Sequence, residues 1–158
     1  MQAMEDLHID ADDPATPECQ SLIDAHLMFA RTHTPPGHVH ALGSEALGVD
    51  GVSFFTARRN GVPIGMAALR DLGDQHAEIK SIHTSAEHRG EGVARSMLEY
   101  VIEIAREREM KRLSLETGTQ PAFAPARSFF ESLGFEVCDP FADYTDNPNS
   151  VCMTLVVE

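Results

Sequence analysis

Residues 88–94 read "HRGEGVA", and the reading of that stretch decides the fold. Two glycines stand one residue apart, an arginine precedes them, and an amphipathic run follows at once. A Gly-rich turn entering a helix offers unpaired backbone N–H groups and the positive end of the helix dipole, which together suit a pyrophosphate. A glycine pair ahead of a helix also serves as a plain tight connection, and the stretch alone does not decide between the two. No Lys-Ser or Lys-Thr follows the glycines, so the Mg-nucleotide cradle is excluded. The unit also lies mid-chain, whereas a dinucleotide fold would open with it. A diphosphate held without a metal fits better.

Working outward, "EGVARSMLEYVIEIARERE" predicts a helix whose Val93, Met97, Val101 and Ile104 form an inward stripe, flanked by Ala94, Leu98 and Ala105. Before the loop, "HAEIKSIHTS" reads as a strand. It follows "VSFFTARR" and "VPIGMAALRDL", two apolar runs joined by Asn60-Gly61, the signal of a type I′ hairpin. Nearer the N-terminus, "EDLHID" reads as a first strand. "TPECQSLIDAHLMFART" reads as a helix with Thr16 as N-cap, Pro17 at the first position, and Leu22, Ala25, Met28 and Phe29 on one face. The prolines of "HTPPGHVHALGSEALG" forbid its continuation, and "SEAL" forms a short second helix. Towards the C-terminus come a strand "KRLSLET", a helix "PARSFFESLGF" ended by Gly134, and a closing strand "SVCMTLVVE".

Composition bounds the partners. A chain of 158 residues with 42% hydrophobic content suits one domain with a single core, and no run approaches a membrane span. The N-terminal "MQAMEDLHIDADD" lacks the basic-then-apolar layout of a signal peptide, so a cytoplasmic protein is expected. Cys19, Cys138 and Cys152 are widely spaced without a CxxC pair, which suggests reduced thiols and no zinc site. The formal net charge of −13 argues against nucleic acid or an anionic membrane, because both require clustered Lys and Arg. A small molecule is the expected partner.

The loop resembles the core motif of the GNAT acetyltransferase superfamily: Arg or Gln, two residues, Gly, one residue, then Gly or Ala, filled here by Arg89, Gly92 and Ala94. "PARSFFESLGFEV" is similar to the family's helix-then-strand segment with its Gly-Phe pair. "PPGHVHAL", "EIKSIHT", "RLSLETG" and "DNPNSVCMT" resemble a YsnE-like branch of bacterial N-acetyltransferases. The resemblance covers nearly the whole chain. It implies one α/β (α+β) domain over 1–158, with a mixed, mostly antiparallel central sheet of six to seven strands flanked by about four helices. It also implies acetyl-CoA as donor, no metal, and direct attack by the amine of a small molecule in a ternary complex. A homodimer stays open, as does a degenerate acyl-CoA-binding module without turnover.

The same resemblance implies roles. Ile82, His83 and Thr84 would line the pantetheine arm, and Arg89, Gly90, Glu91, Gly92, Val93 and Ala94 would hold the phosphates, with Arg127 and Phe130 also on the donor side. Glu78 lies 14 residues before Gly92, a spacing similar to that of the base in histone-acetylating members. The bland alternative is a carboxylate in solvent or paired with Lys80. His83 and Glu116 are the other candidate bases. Phe130 occupies the place of the family's acidic tyrosine, and Phe123 that of its asparagine. Tyr144 is the remaining phenol near the C-terminal end of the fold, either as the thiolate's acid or as packing against substrate. Neither Cys138 nor Cys152 has the adjacent His that an acyl-enzyme needs. His38, His40, Asn147 and Asn149 are expected to touch the acceptor. Polyamine, amino acid and aminoglycoside all remain open as acceptors.

Overall fold

A computed structural model of the chain describes residues 7–37 and 42–157. Its strands are β1 (Leu7–Ala11), β2 (Val52–Arg59), β3 (Val62–Gly73), β4 (His76–Thr84), β5 (Arg112–Gly118), β6 (Glu136–Cys138) and β7 (Ser150–Val156). They form one sheet in the order β1-β2-β3-β4-β5-β7-β6. Every neighbouring pair is antiparallel except β4 with β5. The helices are α1 (Pro17–His33), α2 (Ser44–Leu47), α3 (Val93–Glu107) and α4 (Ala124–Ser132), with single 3-10 turns at Ala86–His88 and Pro121–Phe123.

Local chemistry sets most of these boundaries. Asn60 (φ 54°) and Gly61 (φ 80°) are both left-handed, as a type I′ turn requires, so β2 and β3 pair directly. Thr16 caps α1 by accepting from the Cys19 N–H at 3.3 Å, and Pro17 fills the first helical position, where no N–H is needed. At Gly134 (φ 101°) the chain leaves α4 through the left-handed region, and β6 follows.

The sheet separates two apolar layers. On one face Val93, Met97, Leu98, Val101 and Ala105 of α3 pack on Leu69, Ile79, Leu113 and Met153. On the other, Cys19, Leu22 and Ile23 of α1 pack with Leu47 of α2 on Phe54, Met66 and Ala68. This corrects the expected inward face of α1, because Ala25 and Met28 point to solvent. Positions 19, 22, 23, 26 and 30 share the inner face at 100° per residue, and His26 is drawn in with them. Ile104 of α3 is only half-buried.

One packing contact positions the loop. A Cβ at Gly65 of β3 would lie 2.7 Å from Cγ1 of Val93, the first residue of α3. The missing side chain lets the N-terminus of α3 sit directly on the sheet. Gly65→Ala should therefore cost about 1–3 kcal/mol by overpacking. In denaturant titrations the Gly65→Ala/Val93→Ala double variant should lose less than the sum of its two single costs. Additive costs would show that the two residues do not compete for the same space.

Candidate active site

The site begins where two strands part. β4 and β5 pair in parallel from His76↔Arg112 only as far as Glu78↔Ser114. Beyond that point β4 follows β3 to Thr84, while β5 follows β7 to Gly118. On the side facing β5, the backbone of 79–84 has no strand partner. A cavity of about 580 Å³ fills the gap and is also bordered by α1, α4 and the start of α3.

One end of the cavity is the loop from Arg89 to Ala94. Gly90 (φ 81°) and Gly92 (φ 84°) are left-handed, and Gly92 is the N-cap of α3 without a side-chain cap. The first N–H groups of α3 have no partner within the helix and point towards any anion in the loop. A Cβ at Gly90 would meet no protein atom within 4 Å, which leaves room for a ligand's phosphate. Glu91 is turned away, its Oε1 accepting from Arg59 Nη1 at 2.8 Å and lying 3.3 Å from His88 Nδ1. The Arg59 hydrogen bond, then that of His88, hold the Glu91 carboxyl below its usual range. The β2–β3 hairpin thereby clasps the loop. Arg89 lines the cavity, with Nε 3.4 Å from the Thr84 carbonyl and its guanidinium over the Phe29 ring.

At the apex of the parting strands lies a buried polar cluster. Glu78 is 1% exposed, and its Oε2 accepts from Tyr144 Oη at 2.5 Å and from Lys80 Nζ at 3.3 Å. Lys80 also donates to Tyr144 Oη at 2.7 Å, and Arg70 lies 3.6 Å from Glu78 Oε1. Burial first, and then the hydrogen bond to Glu78, push the Tyr144 phenol well up, so it keeps its proton. Across the cavity His26 Nδ1 of α1 meets His83 Nδ1 of β4 at 3.2 Å, a contact that requires one nitrogen to carry the shared proton. Burial pushes both rings down to about 4, so both are neutral at pH 7.

The structure thus brings a glycine loop at an uncapped helix start beside a strand left half-unpaired. A model of the Acetyltransferase (GNAT) family matches residues 15–135. The chain belongs to the GNAT acetyltransferase family. YsnE of Bacillus subtilis, an uncharacterized N-acetyltransferase, is 45% identical over 94% of this chain and 98% of its own. Among solved structures, a putative acyl-CoA N-acyltransferase from Klebsiella pneumoniae shares the fold at a TM-score of 0.80, with 24% identity over 96% of this chain and 98% of that one. A GNAT family acetyltransferase from Elizabethkingia anophelis with acetyl-CoA bound matches at 0.72, with 17% identity over 96% and 99%.

The GNAT cavity gathers many of the residues singled out in the sequence. Glu78, Ile82, His83, Thr84, Arg89, Gly90, Ala94, Glu116, Phe130 and Asn149 all line it. Val93 is buried against Gly65, so only its backbone can serve the loop. Arg127 faces elsewhere: its Nη1 donates to the carbonyls of Gly118 at 2.7 Å and Gln120 at 3.2 Å, tying α4 to the end of β5. Asn147 bends its own loop by accepting from the Asn149 N–H at 2.8 Å. His38 and His40 lie outside the described residues. Among the described residues no helix is long and apolar enough to cross a membrane, and no three metal-ligating side chains converge.

Sequence reasoning missed His26, Arg59 and Ser81. His26 was signalled by its position on the same helical face as Leu22, Ile23 and Ala30. The histidine pair makes the folded chain acid-sensitive. The unfolded chain takes up protons below about pH 6.5 while the folded rings stay neutral to about 4, so stability falls with pH across that window. A His26→Gln/His83→Gln variant should lose about 5 kcal/mol less than the wild type between pH 7 and 4.5 in denaturant titrations. Parallel losses would contradict neutral buried rings.

Proposed function

We propose that this acetyltransferase, acting as a single domain, takes its acetyl group from acetyl-CoA and passes it directly to the amine of a small molecule in a ternary complex. The observation that carries the reading is the parting of β4 from β5 just after Glu78, with the Arg89–Ala94 loop at its far end. Backbone groups of Ile82, His83 and Thr84 would hold the pantetheine arm, and the amides of Gly90, Gly92, Val93 and Ala94 the pyrophosphate. Arg89 adds a cation at the same end, while Arg59 keeps the Glu91 carboxylate turned from the phosphates. Acetyl-CoA supplies an activated thioester.

The acceptor enters between α1 and the 139–149 segment, whose Phe29 and Asn149 both line the cavity. Glu78 takes the proton that the attacking amine loses, and Lys80 and Tyr144 fix its carboxylate in position. The phenol of Tyr144 is committed to this pair, so we assign it a positioning role and not the protonation of the departing thiolate. The acidic surface of a chain with net charge −13 attracts cationic amines.

Thiol release from acetyl-CoA across a panel of polyamines, amino acids and aminoglycosides tests the reading, and one class should be turned over. With that acceptor Glu78→Gln should lower kcat about 10²-fold at neutral pH and recover in part at high pH, where the free amine is abundant. A wild-type pH–rate profile in the variant would remove Glu78 from the mechanism.

A further inference from the structure

Ser81 stands out within β4. Its φ of 57° is left-handed, an uncommon state for a serine within a strand. The pairing explains it: Met66 faces His83 and Ala68 faces Lys80, so Ser81 and Ile82 together oppose the single residue Ala67. This is a β-bulge, a device that re-aims one side chain. Ser81 is 8% exposed and lines the cavity, yet its Oγ has no hydrogen-bond partner among the described residues. A buried hydroxyl without a partner is costly, and a strained backbone persists only where the surroundings enforce it. Both costs fall on one residue, between the Glu78–Lys80 apex and the His83–Thr84 stretch proposed for the pantetheine arm.

We infer that the Ser81 hydroxyl is a catalytic hydrogen-bond donor that binds the carbonyl oxygen of the donor thioester and strengthens its hold as negative charge develops there. The inference rests on the acetyl-CoA reading above. The bulge turns the side chain towards the gap between β4 and β5, and the ligand's oxygen supplies the acceptor that the protein withholds. No proton leaves Ser81: the bond is formed by its O–H and is kept while the amine attacks and the thiolate departs. A donor already fixed in a water-poor cavity needs no reorganisation, which is why one such group is worth about 10²- to 10³-fold in rate. Phe130, buried in the cavity lining, carries no polar atom that could do the same.

The test uses acetyl-CoA labelled with ¹³C at the acetyl carbonyl, bound to the full chain. In the wild-type complex the carbonyl resonance should lie downfield of the free ligand, as hydrogen bonding requires. With Ser81→Ala it should move back towards the free value, while acetyl-CoA affinity stays within about twofold and thermal stability is retained. Ser81→Gly, which also frees the backbone, should give the same upfield shift as Ser81→Ala. Turnover of an accepted amine should fall about 10²-fold in both variants. A carbonyl resonance unchanged in Ser81→Ala overturns the inference, as does a change in Ser81→Gly alone, which would trace the effect to the bulge and not the hydroxyl. Failure of the wild-type chain to bind acetyl-CoA would instead overturn the donor reading on which the inference stands.

Discussion

The architecture depends on how short one ladder is. β4 and β5 are parallel partners over three residue pairs, and the pairing stops at Glu78↔Ser114. Had it continued, the backbone of 79–84 would have been satisfied within the sheet and the cavity closed. A half-unpaired strand in a protein interior is normally a liability, because backbone polar groups need partners. Here the opening borders α1 and α4, whose Phe29 and Phe130 supply apolar walls, while the α3 N-terminus supplies a positive end. This is the arrangement that the proposed donor, with its extended arm and anionic terminus, would need. Gly65 matters for the same reason, since it lets Val93 approach β3 and sets where that positive end lies.

The polar groups at the apex are buried in a way that decides what they can do. A carboxylate at 1% exposure is costly to maintain without partners, and Lys80 and Tyr144 together provide them. These bonds hold the Glu78 carboxylate in one position at the apex, which is the geometry the proposed base would need. The neighbouring histidine pair is different in kind. Neither ring carries charge near neutral pH, so the pair adds polarity to the cavity wall without adding charge.

Much of the fold was legible because its signals are local. Thr16-Pro17, Asn60-Gly61 and Gly134 each fix a boundary through their own backbone preferences, and the glycines of the loop announce the helix start. The seven-strand sheet and four helices agree with the expected class. What the sequence concealed depends on distant partners. His26 meets His83 across 57 positions, and Tyr144 meets Glu78 across 66. The left-handed Ser81 arises from a register offset against β3, which no residue preference of "KSIH" announces. The charge of Arg127 is visible in the sequence, whereas the carbonyls that occupy it are not. The inner face of α1 runs through Cys19, Leu22, Ile23 and Ala30 and includes the polar His26, which an apolar stripe does not mark.

Amide hydrogen exchange with and without CoA tests the central claim most directly, since it reads the backbone groups on which the account rests. Saturating CoA should slow exchange selectively at the amides of 82–84 and 90–94, leaving the β2–β3 hairpin strands unchanged. Protection confined to other segments, or absent from both of these, would contradict the assignment of the parted strand and the glycine loop to the donor.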